Sequence, residues 1–306
     1  MKRLLPLMVM LSLLFSCARG VVTRNREGRR PRDVPRQKFN GIKKKIVLLS
    51  FFNESPYGGD DLGIMASENL RSELLRTGEF IIDPMGRKLF GSSKEIYVGG
   101  GVKLAQLAKK AKVAGINFVL FGRIKKARIR EKTDEIGLVR ETKSYTEAEV
   151  ELRIFDVNSN KEIYTDTIKG YADDSSFRFF TSDRESHISY RRELLRYGVK
   201  LAVRKAIPRI LSVSSKLDWV GRVAKIEGNK IYINAGRSSG IQISDVLKVM
   251  TEGQEIYDPE TGALIGVSKG EVKGTLEVID YFGPDGSIAI LHSGGSVIEG
   301  DYLTLY

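Results

Sequence analysis

Residues 46–52, Ile-Val-Leu-Leu-Ser-Phe-Phe, form a continuous apolar run with the length of one β-strand. Apolar residues at successive rather than alternate positions are typical of a central strand that is covered on both faces. Turn-forming residues follow at 53–59, and beyond them apolar residues recur at helical spacing, at Leu62, Met65, Ala66, Leu70 and Leu74. The run therefore predicts an α/β sandwich whose sheet begins here.

Residue patterns extend this sandwich to residue 214. Helical spacing predicts helices over about 60–76, 102–113 and 188–210, the first with Asp60 or Asp61 as its N-cap. Apolar and alternating stretches predict strands at 80–82, 116–121, 123–131, 138–156 and 161–171. Asn158-Ser159-Asn160 supplies a hairpin turn between the last two strands. We expect one α/β (α+β) domain over residues 42–214.

The pattern changes at Leu217-Asp218-Trp219, where helix formers disappear and glycines begin to recur every few residues. Short strand patterns follow at 219–227, 230–235, 246–251, 252–258, 264–280 with a break, 287–292 and 302–305. Closure into a small barrel would explain strands this short. The pattern therefore predicts that residues 217–306 form a small all-β, SH3-like barrel domain.

The N-terminus has the layout of a secretory signal. Lys2 and Arg3 precede an apolar stretch at 4–15, and Ser16 precedes Cys17, the only cysteine of the chain. Leu14-Phe15-Ser16-Cys17 resembles the bacterial lipobox, with Phe15 where a small or β-branched residue is usual. The resemblance implies a signal peptide over residues 1–16 and a lipid anchor, with acyl chains such as palmitate, on Cys17. A membrane-spanning anchor would need roughly 18 or more apolar residues, and this run is shorter.

The net charge of +12 is unevenly placed along the chain. Residues 19–45 carry +9 and residues 46–215 carry +6, whereas residues 216–306 carry −5. The basic stretch has few apolar residues and includes Pro31 and Pro35, a composition that cannot bury enough surface to fold. We expect residues 17–41 to be a lipidated, disordered basic tether that lies along anionic headgroups. The membrane is thus a predicted partner, and nucleic acid is not.

Two groups of motifs carry a resemblance to known families. Residues 42–212 resemble the family of the curli secretion lipoprotein CsgG and the TolB amino-terminal domain. The motifs that carry this resemblance are Phe52-Asn53-Glu54-Ser55, Phe80-Ile81-Ile82-Asp83, Gly115 to Gly122 and Val150 to Val157. The middle domain of the flagellar H-ring protein FlgT shares this fold. The last ninety residues resemble the FlgT carboxy-terminal domain, through Gly221-Arg222-Val223, Ile233 to Gly236 and Asp245 to Val249. The resemblance implies a component of a periplasmic or outer-membrane ring or appendage, such as a flagellar basal body.

The resemblance to CsgG also implies an alternative function, in which the chain is a secretion-channel subunit that contributes two hairpins to a membrane pore. A membrane strand needs about 9–11 residues with an apolar outward face. The candidate hairpins at 124–149 and 171–192 are instead charged throughout, and in the first the charges occupy both parities of the strand alternation. Because one lysine or arginine on the lipid face costs about 2–4 kcal/mol, the channel is kept only as an alternative.

Three phenylalanines, Phe177, Phe179 and Phe180, are unusual in the polar segment that contains them. One interpretation is a loop folded back on the core. The other is a set of aromatic anchors for a contact with a partner or another protomer. Both interpretations stay open from the sequence.

No arrangement of residues points to catalysis, a cofactor or a metal. The two histidines, His187 and His292, fall in different domains. Gly236-Arg237-Ser238-Ser239-Gly240 matches the G-x-S-x-G pattern, but the strand-like Ile241-Gln242-Ile243 that follows indicates a hairpin turn instead of the strand-to-helix turn of a nucleophile. Gly99-Gly100-Gly101 lacks the lysine and hydroxyl pair of a phosphate-binding loop.

The sequence therefore predicts a non-enzymatic, lipid-anchored assembly or scaffold protein of the cell envelope. Its opposite domain charges suit head-to-tail contacts in a homo-oligomeric ring, and other envelope proteins are expected partners. Ala18, which is not an aspartate, resembles the residue that permits sorting to the outer membrane, so we expect the protein on the periplasmic face of that membrane. A glycan- or ligand-binding module at the β domain is the second alternative.

Overall fold

The computed structural model describes residues 39–84, 86, 90–134, 141–173 and 187–306. In it the apolar run is divided between two strands, β1 (Lys44–Leu48) and β2 (Phe52–Asn53). Both pair in parallel with β4 (Phe118–Asp134), but Leu48 lies opposite Leu120 while Phe52 lies opposite Arg123, so the register shifts by one residue. The run is buried in the sheet as predicted, but the expected single strand over 46–52 is wrong.

Three further strands, β3 (Phe80–Ile82), β5 (Glu141–Asp156) and β6 (Lys161–Asp173), complete a sheet with the order β3-β1-β4-β5-β6. β3, β1 and β4 run parallel, whereas β5 and β6 are antiparallel to their neighbours. The predicted strands at 116–121 and 123–131 are one strand, because β5 pairs along the whole of β4. The predicted turn at 158–160 is confirmed: Asn160 has a φ of 55°, and Ser159 N donates to Asp156 Oδ2 at 3.0 Å.

Helices cover both faces of this sheet. α1 (Gly59–Thr77) and α3 (His187–Ser214) pack on one face, and α2 (Ser93–Val113) packs on the other. Because side chains alternate along a strand, Ile46 and Leu48 lie in the first core and Val47 and Leu49 in the second. The apolar residues of the opening run are thus buried except Phe52, which is half-buried, and the α/β sandwich is confirmed.

Two helix starts differ from the predictions. α1 begins after Gly58, whose φ of 88° is left-handed, so Asp60 and Asp61 lie in the first turn and do not cap the helix. Their negative charges still interact favourably with the positive, N-terminal end of the helix dipole. α2 begins at Ser93 rather than at 102, because Ser92 and Glu95 form a capping box, and its backbone breaks at Gly100, with φ 53° and ψ −144°.

After α3 the chain forms only strands, which are β7 (Gly221–Glu227), β8 (Lys230–Ile233), β9 (Val246–Met250), β10 (Glu255–Tyr257), β11 (Leu264–Val267), β12 (Val272–Phe282), β13 (Gly286–Gly294) and β14 (Tyr302–Leu305). Six of them close a barrel in the order β12-β13-β8-β7-β14-β9, and β10 and β11 pair as a separate ribbon. Trp219, Ile233, Leu247 and Leu276 are buried in the barrel core. The prediction of a small closed barrel is confirmed, and its SH3-like character stays a prediction.

Hydrogen bonds join the barrel to the α/β part within one compact unit, Lys38–Tyr306. Arg222 Nη1 donates to the carbonyl of Lys112, in the last turn of α2, at 2.7 Å. Asn117 Nδ2 donates to the carbonyl of Val220 at 3.2 Å. The division into separate domains at 42–214 and 217–306 stays a prediction. Among the helices of the described residues, none is both long enough and apolar enough to cross a membrane.

Candidate functional site

The residues that the sequence singles out as sites lie outside the described residues. This applies to Cys17, to the signal peptide at 1–16, to the tether up to residue 38, and to Phe177, Phe179 and Phe180. Lipidation and the aromatic partner contact therefore stay predictions. The described residues offer a different candidate, a charged surface on the side of the sheet that also carries α2.

We call this surface the outer face and define it by residues of β4, β5 and β6: Arg123, Lys126, Arg128, Arg130, Glu147, Glu149, Glu151, Arg153 and Lys169. A β-bulge between Ile124 and Lys126 brings the β4 cations to one side. Ile124 and Ala127 are three residues apart, yet both lie in the core beneath α1 and α3. The bulge therefore reverses the alternation of β4 at its midpoint.

The charges of β4 occupy both parities of its sequence, and the bulge leaves Lys126, Arg128 and Arg130 together on the outer face. Glu131 lies on the opposite face, where its Oε1 pairs with Arg191 Nη1 of α3 at 3.0 Å. A bulge depends on how two strands pair, so strict alternation along one strand could not reveal it.

Cations of β4 lie opposite carboxylates of β5 on the outer face. Arg128 Nη2 is 2.5 Å from Glu147 Oε2, and Lys126 Nζ is 3.6 Å from Glu149 Oε1. Opposite charges placed across neighbouring strands stabilise an antiparallel pair, although exposed ion pairs contribute only about 0–1 kcal/mol each. These four side chains are 22–36% exposed, so a partner can reach them. The outer face is an open array of paired charges.

A buried carboxylate, Glu151, lies where this face meets α2. Its side chain is 5% exposed and accepts hydrogen bonds from Tyr97 Oη at 2.8 Å, Arg123 Nη2 at 3.1 Å and Arg153 Nε at 2.9 Å. The two guanidinium carbons lie 4.7 Å and 4.6 Å from the centre of the Tyr97 ring, one for each arginine. We call these four residues the Glu151 cluster.

The Glu151 cluster holds its charge at every ordinary pH. Burial alone would raise the pKa of Glu151, but the hydrogen bonds from Tyr97, Arg123 and Arg153 outweigh it and lower the pKa to about 2. Burial, together with the bond to Glu151, raises the pKa of Tyr97 far above its usual value. A carboxylate that is ionised and fully hydrogen-bonded is poorly suited to proton transfer. The cluster instead fastens the first half of α2 to the sheet.

Sequence reasoning did not identify the Glu151 cluster. The alternation Val150-Glu151-Leu152-Arg153-Ile154 places Glu151 and Arg153 on one face, and that signal was available. Tyr97 comes from a helix and Arg123 from another strand, so their meeting depends on the tertiary fold.

The G-x-S-x-G match is a turn, but the predicted hairpin is wrong because the strands on its two sides do not pair with each other. β8 pairs with β7 and β13, whereas β9 pairs with β12 and β14. Residues 241–243, expected to be strand-like, lie outside any strand. Ser239 Oγ donates to Asp285 Oδ2 at 2.5 Å, and Ser238 Oγ donates to the carbonyl of Pro284 at 2.8 Å. Both hydroxyls therefore serve the turn.

Histidine and carboxylate groups give no further centre among the described residues. His292 Nδ1 lies 3.7 Å from Glu277 Oε2 on the barrel surface. In the part of the chain that the structure describes, no group of three or more His, Cys, Asp or Glu side chains is arranged to hold a metal ion.

Comparisons with known proteins add little to this geometry. No protein-family model matches the chain, and no curated protein matches it. Among solved structures, the hypothetical protein CT253 of Chlamydia trachomatis is 16% identical with a TM-score of 0.36, over 55% of this chain and 95% of its own. The lipoprotein GNA1162 of Neisseria meningitidis is 15% identical with a TM-score of 0.32, over 55% of this chain and 99% of its own. The C-terminal domain of LpoB from Salmonella enterica is 16% identical with a TM-score of 0.28, over 43% of this chain and 84% of its own. Scores this low do not bear on family or function.

Proposed function

We propose that this chain is a non-enzymatic, lipid-anchored scaffold protein of the cell envelope that self-associates through the outer face. The observation that carries the proposal is the shape and chemistry of that face. It is an open sheet surface with charges held in fixed rows by cross-strand pairing. Such a surface suits contact with a complementary protein surface, since it encloses no substrate.

The opposite charges of the two parts of the chain support association of copies. The α/β part carries +6 and the barrel part −5. The cations of β4 would meet the acidic barrel of the next copy, and such a head-to-tail contact closes into a ring when the rotation permits. The resemblance to CsgG, TolB and FlgT favours a periplasmic ring or appendage of flagellar basal-body type as the machine served.

The lipid anchor rests on Leu14-Phe15-Ser16-Cys17 and on the basic tether that follows. Acyl chains combined with a polybasic segment give the two membrane contacts that stable anchoring requires. The proposed location is the periplasmic face of the outer membrane.

A test of the anchor replaces the single thiol. In Cys17→Ser, labelling with radioactive palmitate should disappear, and the protein should leave the membrane fraction or remain unprocessed with its signal peptide. Labelling and membrane retention equal to those of the wild type would exclude Cys17 as the anchor.

A test of self-association measures molar mass by light scattering on the mature protein in detergent. We expect oligomers at about 0.01 M salt and dissociation at about 1 M salt, because the Debye length falls from roughly 30 Å to 3 Å. The double variant Lys126→Ala, Arg130→Ala should associate more weakly. The control Lys103→Ala, Lys109→Ala removes the same charge from exposed positions of α2 and should behave as wild type. A monomer at every salt concentration would refute self-association.

We do not retain the secretion-channel alternative. The outer face carries ion pairs, and Ile124, Ala127 and Ala148 on the opposite face are buried beneath α1 and α3. Lipid would therefore meet charge on one side of these strands and have to displace helices on the other.

A further inference from the structure

A cleft of about 620 Å³ lies where the α/β part meets the barrel. Its walls are the turn between β5 and β6, the connection at 216–220, and the outward sides of β9 and β14. Clefts of about 300–1,000 Å³ at a junction between structural units are common sites for small molecules and short peptides. Neither the lipid anchor nor the outer face involves this cleft.

Part of the cleft wall is apolar. Trp219, the only tryptophan of the chain, lines it and is 7% exposed. Leu217, Val220 and Met250 lie on the same wall. This surface can accept an apolar side chain of a ligand, and Trp219 provides a natural fluorescent reporter of binding.

An unpartnered hydroxyl lies at the cleft. Ser159 Oγ is buried and has no hydrogen-bond partner among the described residues, although Ser159 lines the cleft. A buried polar atom without a partner disfavours the folded state. Because Oγ itself is buried, a polar group of a ligand would supply the missing partner after the Ser159 side chain rotates toward the cleft.

The charges of the cleft leave a surplus of cations. Two of its carboxylates are engaged: Asp156 accepts the backbone N–H groups of Asn158 and Ser159, and Glu252 accepts from Lys112 Nζ at 3.3 Å and Tyr302 Oη at 3.2 Å. Three lining lysines, Lys216, Lys248 and Lys269, form no ion pair with a described carboxylate. Backbone N–H groups do not neutralise Asp156, so Asp156 and Asp218 both offset these lysines and the lining of the cleft carries a net charge of +1.

We propose that this cleft binds a short extended peptide that carries a free carboxylate. The lysines would hold the carboxylate, the wall around Trp219 would hold an apolar side chain, and Ser159, Thr251, Ser268 and Thr304 would bond the peptide groups. An acyl chain would leave the Ser159 hydroxyl without a partner, and inorganic phosphate would leave the apolar wall empty. The peptide is the ligand chemistry that uses all three features.

The first test titrates the mature protein with acetyl-Ala-Leu-Ala-Glu and follows Trp219 emission, with calorimetry as a second readout. We expect saturable binding, and affinity reduced about tenfold or more when the peptide is amidated and its Glu is replaced by Gln, because charge-assisted bonds are lost. Lys216→Glu and Lys269→Glu should each weaken binding, whereas the control Lys103→Glu, at an exposed position on α2, should not. Absence of binding, or equal binding of the amidated peptide, overturns the proposal.

Competition identifies the ligand class. Dodecanoate or inorganic phosphate, each added at the peptide concentration, should leave the peptide bound. Displacement by either one, abolished by Lys216→Glu, would show that the cleft prefers an acyl carboxylate or a simple anion, and the peptide assignment would be wrong.

Ser159→Ala provides a second, independent test. Because the hydroxyl has no described partner, its removal should leave the thermal midpoint unchanged or higher while weakening peptide binding severalfold. A lower midpoint would mean that the hydroxyl serves the fold, and unchanged affinity would mean that it does not touch the ligand. Either result contradicts its role in binding.

Discussion

Replacing Glu151 with glutamine tests the Glu151 cluster. The side chain keeps its size but loses its charge, and its amide N–H₂ group cannot accept the hydrogen bonds that Arg123, Arg153 and Tyr97 donate to the carboxylate. The fall of the Glu151 pKa from 4.5 to about 2 corresponds to about 3.5 kcal/mol at about 1.4 kcal/mol for each pH unit. Since the two arginines are partly exposed, solvent screening reduces this to about 2 kcal/mol.

The pH dependence of this loss has a definite sign. A carboxyl whose pKa is lower in the folded than in the unfolded protein stabilises fully above its unfolded pKa, and that contribution disappears as the pH falls through the folded pKa. The gap between wild type and Glu151→Gln should therefore be about 2 kcal/mol at pH 7, shrink below about pH 4.5, and nearly close by about pH 2.

Urea unfolding of both proteins across this pH range measures the gap directly, and taking the difference cancels the other carboxyls. The control is Glu149→Gln on the same strand and face, whose side chain is 25% exposed and pairs with Lys126 Nζ at 3.6 Å. It should lose less than about 1 kcal/mol. If Glu151→Gln costs no more than this control at pH 7, or if its cost does not vary with pH, the cluster does not hold α2 as argued.

Three further substitutions test other contacts, each by urea unfolding. Tyr97→Phe removes the bond to Glu151 but keeps the ring contacts with both arginines, so it should cost about 1–1.5 kcal/mol. Tyr97→Leu should cost more because the cation–π contacts are lost as well. Equal costs would show that the ring contacts contribute nothing. Arg222→Ala removes bonds to the carbonyls of Lys112 and Gly300 and should cost about 2–3 kcal/mol, whereas a loss below about 0.5 kcal/mol would contradict its role at the junction. Gly170→Ala would place a Cβ 2.1 Å from the Gly198 carbonyl oxygen of α3 and should cost about 2 kcal/mol or more. The control Gly266→Ala, whose Cβ meets only Lys161 Nζ at 3.9 Å, should leave stability unchanged. Similar values for the two variants would refute the close approach of β6 and α3.

Local patterns predicted most elements of the fold, because strands and helices leave a periodic record in the sequence. The barrel strands illustrate this, since β14 (Tyr302–Leu305) has the predicted bounds and β7, β8 and β9 differ by a few residues. The errors occur where pairing or backbone conformation overrides periodicity. The division between β1 and β2 follows a register shift against β4, and the bulge at Ile124 follows pairing with β5.

The Glu151 cluster could be predicted only in part, for a similar reason. Glu151 and Arg153 share a face by alternation, but a carboxylate and an arginine two residues apart are common on exposed strands. What distinguishes this pair is burial by Tyr97, and that contact requires the first half of α2. The glycines at 99–101 interrupt the helical pattern, so the sequence predicted a helix from 102 and omitted the segment that carries Tyr97.

The same glycines allow α2 to satisfy two anchors made by different parts of the chain. Its first half is held to the sheet, since Tyr97 donates to Glu151 and Ser93 N donates to the carbonyl of Ser50 at 3.0 Å. Its last turn is held by the barrel through Arg222. In a straight helix the direction of one half would determine the direction of the other. Gly100 breaks the helix with φ 53° and ψ −144°, a combination that favours glycine, so each half can be oriented by its own contacts. The barrel is held on the α/β part by contacts at the junction, which include those of Arg222 and Asn117 and the ion pair between Lys112 and Glu252, whereas the Glu151 cluster holds the first half of α2.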